Sequence, residues 1–108
     1  MKYLKRFENI NIKEGDYVII GPYGHYNTHL TNYVNNNVGR LEQNYREEGL
    51  SLIEVSFDKT PPKEIINTFY QRRDNKWVKS FDENQIVDSD VSKENLELKL
   101  AAKKYNIG

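Results

Sequence analysis

The sequence predicts a small, mainly β domain: a five-stranded antiparallel barrel with one α-helix packed on it at the C-terminus. Three observations lead there. Gly15-Asp16-Tyr17-Val18-Ile19-Ile20, Val38-Gly39-Arg40-Leu41-Glu42-Gln43 and Leu52-Ile53-Glu54-Val55-Ser56-Phe57 are short strand-like runs, each closed by Gly, Asn or Pro. In the last of them Ile53, Val55 and Phe57 alternate with Glu54, Ser56 and Asp58, the period of a strand buried on one face only. Near residue 90 the pattern turns helical, with capping residues, an acidic start and a basic end.

Taken in order, residues 1–12 read as an N-terminal arm, residues 13–90 as the barrel and residues 91–108 as the helix. In the arm, Tyr3, Phe7 and Ile10 fit a helical stripe that sets one or two aromatic rings on the barrel. Lys13 to Asp16 is turn chemistry, and the apolar run Tyr17 to Ile20 follows as the first strand, stopped by Gly21-Pro22. The second strand is Val38 to Gln43, with Gly39 marking a bulge or sharp twist, and Asn44 to Gly49 turns the chain back. Leu50 and Leu52 sit on the parity opposite to Ile53, which calls for a bulge or a doubly covered strand end. Thr60-Pro61-Pro62 ends the third strand, because proline has no N–H for the ladder. Ile65–Gln71 and Lys76–Phe81 read as a hairpin closed by Arg72-Arg73-Asp74-Asn75, with Trp77 in the core or across the barrel mouth. Gln85 to Asp88 is a brief final strand.

Helix signals follow. Asp90 or Ser92 can cap it, since a short side-chain oxygen there accepts a bond from an orphan backbone N–H. Glu94 and Glu97 come early and Lys103 and Lys104 late, as the helix dipole prefers. Its apolar residues fall into two stripes, Leu96/Leu100/Ile107 and Leu98/Ala101/Ala102/Tyr105. One stripe docks on the barrel; the other is covered by the N-terminal arm or offered to a partner.

Between the first two strands lies the least regular segment, residues 21–37. It holds two glycines, one proline and five asparagines, which deny it regular structure over its full length. Tyr23, Tyr26, Leu30, Tyr33 and Val34 still give it something to pack. Long loops on compact domains are often functional, and Tyr, Asn, Gly and His combine rigid contact area with adaptable hydrogen bonds. Leu30 and Tyr33 serve equally well as anchors of the loop.

Composition excludes several functions. At 108 residues the chain forms one domain, which buries roughly two-thirds of the surface its unfolded chain exposes. Hydrophobic residues make up 37% and aromatic ones 12%, which argues against wholesale disorder. Sixteen basic and sixteen acidic side chains cancel, so the bulk attraction behind non-specific nucleic-acid binding is weak. The chain has no Cys, which excludes disulfides, thiol catalysis and Cys-ligated zinc. Charges interrupt Met1 to Phe7, so that stretch does not read as a secretory signal. No apolar run approaches a membrane span. The expected location is cytoplasmic.

Gly15-Asp16-Tyr17-Val18, then Val38-Gly39-Arg40-Leu41, then Ile53-Glu54-Val55-Ser56-Phe57-Asp58 resemble the strands of SH3-like barrels of the Tudor and KOW kind. The resemblance covers residues 13–90 and rests on fold markers rather than site signatures. The terminal helix, Ser92 to Ile107, resembles an appendage of small barrel proteins from phages and mobile elements. The resemblance implies binding of methylated side chains, proline-rich peptides, nucleic acid, or ribosomal and transcription components. A Tudor-type cage needs three or four converging rings to hold a cation, and the 17 residues after the first strand depart from the short connection of that class.

Catalytic signatures are weak. His25 and His29 stand four residues apart, a spacing that on a helix offers two imidazoles to one metal. Gly24 and Asn27 disfavour that helix and no third ligand is nearby, so no metal and no other cofactor are expected. The expected function is therefore a non-enzymatic module that binds another protein; the resemblance of the terminal helix implies that it is either a phage structural component or an inhibitor of a host machine. Its expected contacts are Tyr23, His25, Tyr26, His29 and Tyr33 of the loop, with Tyr70, Arg72 and Arg73 at the hairpin tip. The rival expectation is nucleic-acid binding, with Arg40, Arg72, Arg73 and Lys76 on phosphates and tyrosines stacking on bases. A monomer or weak homodimer is expected, with no membrane attachment.

Overall fold

A computed structural model of the protein describes residues 12–21, 28–47 and 50–106. Most of the N-terminal arm, together with Tyr23, His25 and Tyr26, lies outside the described residues. Strands β1 (Tyr17–Ile20), β2 (Gly39–Glu47), β3 (Leu50–Phe57), β4 (Tyr70–Gln71), β5 (Trp77–Asp82) and β6 (Ile86–Asp90) form one antiparallel sheet. Helix α1 (Thr28–Asn36) joins β1 to β2, and helix α2 (Lys93–Asn106) ends the chain. The strand order is β4-β5-β3-β2-β1-β6. This corrects the five-stranded barrel: among the described residues the sheet has six strands, and its edges β4 and β6 are not paired with each other. It curls instead. Val18, Ile20 and Ile86 from one end share a core with Ile53, Phe57 and Phe81 from the other.

Strand β3 pairs with both β2 and β5, and its alternation buries Ile53, Val55 and Phe57 on the inner face. Gly39 makes room for them. A β-carbon there would lie 2.2 Å from Val55 Cγ1 and 3.0 Å from the Phe57 ring, so this glycine serves close packing. The bulge lies further along β2, between Leu41 and Gln43, and leaves Glu42 as the extra residue. Beyond it β2 runs on to Glu47, through residues that the sequence assigns to a turn. Gly15 adopts φ +99° in the turn before β1, where its N–H donates to the Leu41 carbonyl at 2.7 Å.

The predicted hairpin between residues 65 and 81 is shorter than expected. Pro62 accepts bonds from the amides of Ile65 and Ile66, and a 3-10 turn over Ile66–Thr68 replaces the first half of the strand. What remains is β4, and Asn75 closes the turn with φ +68°. Trp77 packs half-buried against the core. On the inner face of β5, burial lowers the pKa of the Lys79 amine, which sits 5.9 Å from the centre of the Phe69 ring.

The segment read as irregular contains a helix. In α1 the spacing of Leu30, Tyr33 and Val34 puts all three on one buried face. Its asparagines support it: Asn36 and Asn37 donate to the carbonyls of Asn32 and Tyr33, four residues back, at 2.7 and 2.8 Å. Tyr33 meets Phe57 and Phe69 edge to face at 5.2 and 5.4 Å. Its hydroxyl donates to the Lys59 carbonyl. Burial, with the Asp58 carboxylate beside it, pushes that phenol well above its ordinary pKa.

Ser92 caps α2, accepting the Asn95 amide at 3.2 Å, and Asp90 accepts the Ser92 amide at 2.9 Å. The docked stripe is Leu96 and Leu100, set against Tyr17, Ile19 and Val38 on the opposite, outer face of the sheet. In the second stripe Leu98, Ala101 and Ala102 are exposed.

Candidate functional site

Antiparallel register lines up one residue from every strand across the outer face. In sheet order these are Tyr70, Val78, Ser56, Arg40, Tyr17 and Asp90. Around the middle of this row a cleft of about 300 Å³ opens between the Arg72–Lys76 turn and the start of α2. A larger groove of about 680 Å³ runs from the end of α1 along α2 and shares Val38, Asp58 and Lys93 with the cleft.

Two carboxylates organise the cleft. The bulge in β2 turns Glu42 onto the outer face, where its side chain is 13% exposed. Ser56 Oγ donates to Glu42 Oε2 at 2.6 Å, Arg40 Nη1 approaches both carboxylate oxygens at 3.0 and 2.9 Å, and Arg72 Nη1 lies 3.1 Å from Oε1. Burial alone would raise this carboxyl. The bonds from Ser56, Arg40 and Arg72 outweigh it and hold Glu42 below its ordinary value. Arg72 is also gripped by Asp74, at 2.7 Å from Nη2, and that bond leads in raising the guanidinium pKa further.

Asp58 is the second organiser. It directly follows the last residue of β3 and accepts from Lys76 of the turn and from Lys93 of α2, the latter at 2.6 Å. These two ammonium groups hold its carboxyl below the usual range. Asp58 therefore ties β3, the β4–β5 turn and α2 together.

Of the residues singled out in the sequence, Arg72 is in the cleft, Arg73 is exposed at the turn, and Tyr70 is 66% exposed on edge strand β4 beside it. His29 is exposed on the first turn of α1. Tyr33 is 5% exposed and occupies the anchoring role in the core. Sequence reasoning passed over Glu42, Asp58, Asp74 and Lys93 as site residues. One signal for Asp58 was present: with Glu54 and Ser56 it marks the polar face of the clearest strand. Among the described residues no group of three or more His, Cys, Asp or Glu could hold a metal ion, and no helix is long and apolar enough to cross a membrane. No protein-family model, curated protein or solved structure gives a match to this chain.

Proposed function

We propose that this domain is a non-enzymatic protein-interaction module of the SH3-like kind, which docks its partner on the outer face of the sheet. One observation carries the reading. Arg40 and Arg72 are held by Glu42 and Asp74, and Lys76 and Lys93 share Asp58. The face thus presents fixed, alternating charge rather than a cationic stripe, and such patterns select a partner of complementary pattern more than they attract polyanions. Consecutive pairing of β1, β2, β3 and β5, with β6 returning to β1, supports the SH3-like part of the reading. The proposed contacts on this face are Tyr70, Arg72 and Arg73, and Tyr23, His25, Tyr26 and His29 of the loop segment are proposed as further contacts. The proposed partner is a virion component or a host machine met in the cytoplasm by a monomer or weak homodimer.

The test is capture of a protein partner by the wild-type chain and by the double variant Tyr23→Ser/Tyr26→Ser. Loss of capture with unchanged thermal unfolding is the expected result. Capture undiminished by the substitutions would overturn the loop's part in docking. Tyr33 is left out of this variant because it belongs to the core.

Nucleic-acid binding keeps one favouring observation, the exposed Tyr70 ring beside Arg72 and Arg73. It predicts oligonucleotide affinity that falls steeply as salt rises. Absence of binding even at low ionic strength would dispose of it.

A further inference from the structure

Helix α2 covers an apolar patch on the outer face, and little of it is buried among the residues whose side chains are described. Among the described residues of this 14-residue helix Leu96 is fully buried and Leu100 partly, while Leu98 is 63% exposed. Its other described side-chain attachments are solvent-facing and polar, two of them ion pairs. Lys93 reaches Asp58 at 2.6 Å, Lys99 reaches Asp88 at 3.3 Å, and the Asn95 side-chain amide lies 3.3 Å from Asp90. Exposed ion pairs of this kind hold weakly and are screened by salt. Few buried apolar contacts and polar tethers mark a segment that opens before the rest of the molecule does.

What α2 hides is as informative. Ile19 and Val38 are 7% and 8% exposed with the helix in place, and Tyr17 and Val38 also border the cleft. When α2 lifts, Lys93 and Lys99 leave with it. An apolar patch then remains, flanked by the carboxylates of Asp88 and Asp90 and by Asp58, which keeps Lys76 as its partner. The helix itself shows what fits: leucines four residues apart, with lysines three residues before and three after the first of them.

We propose that α2 is a displaceable cover on the docking face, and that the partner is a basic amphipathic helix which takes its place. This rests on the outer face being the docking face, but its test needs no partner, so the two can fail separately.

The test follows amide hydrogen exchange of the full chain at low and high salt. Expected are α2 amides exchanging faster than those of β3, and accelerating as salt rises. Lys99→Glu should raise α2 exchange about two- to fivefold, the worth of one exposed ion pair, with Asp88→Lys in the double variant restoring it. A synthetic peptide of residues 91–106 should bind the full-length Leu96→Asp variant, and the same peptide carrying Leu96→Asp should not. If that variant fails to fold, excess peptide added to the wild-type chain should itself accelerate α2 exchange. Exchange of α2 at the β3 rate, insensitive to salt, would overturn the proposal. A concentration-dependent dimer with rising α2 protection would assign the patch to a second copy and overturn the partner class.

Discussion

Gly39 and Glu42 stand three residues apart and serve opposite faces of the sheet. Gly39 lets β2 lie over Val55 and Phe57, so any β-carbon must push the core apart. Gly39→Ala should destabilise the domain by about 2–3 kcal/mol, read as a lower urea midpoint by Trp77 fluorescence. Glu42 faces the cleft with a carboxyl held below its ordinary value of 4.5. A carboxylate depressed by folding contributes stability that is complete above 4.5 and is lost as pH falls through the folded value. The urea midpoint should therefore drop below that pH, and Glu42→Gln should flatten the drop. An equally steep acid fall in the variant would assign the effect to other carboxylates. At Tyr33, replacement by Phe removes one hydrogen bond and should cost about 1 kcal/mol. Tyr33→Ser also empties a place among Phe57 and Phe69 and should cost about 3–5 kcal/mol. Near-equal costs for the two would contradict the anchoring role.

At the scale of the element, what could be read from the sequence depended on how local the determinant was. Strand β3 was legible because its alternation lies within eight residues, and α2 because its cap and charges are in its own first and last turns. Ser92→Ala should raise exchange in the first turn of α2 and cost about 1 kcal/mol, with β3 amides unaffected. Helix α1 was not legible. Asn is a poor helix former, and here tertiary burial of Leu30, Tyr33 and Val34 overrides that preference while Asn36 and Asn37 satisfy the last carbonyls. The bulge at Glu42 was equally hidden, since it appears only when β2 is laid against β3. Strand β2 also outruns its predicted end, because Asn44 to Glu47, read as a turn from the sequence, pair with Ile53 to Leu50 of β3.

For the whole molecule, the antiparallel β architecture with a C-terminal helix could be read in the sequence, but how the sheet closes could not. Closure depends on how far the two edges curl toward each other, and no local run encodes that. Net charge was equally legible and its arrangement was not. The cleft gathers Tyr17, Arg40, Glu42, Ser56, Arg72 and Lys93 from β1, β2, β3, the β4–β5 turn and α2, contacts that exist only after folding. That arrangement turns a chain of zero net charge into a face of paired charges. Protein docking on this face is tested most directly by capture from nuclease-treated lysate, comparing the wild-type chain with Tyr70→Ser/Arg73→Ser, two exposed positions whose change should leave stability within about 0.5 kcal/mol. One protein retained at near-stoichiometric level by the wild type and lost by the variant is the predicted result. Retention that vanishes with nuclease, or that the variant matches, would contradict it.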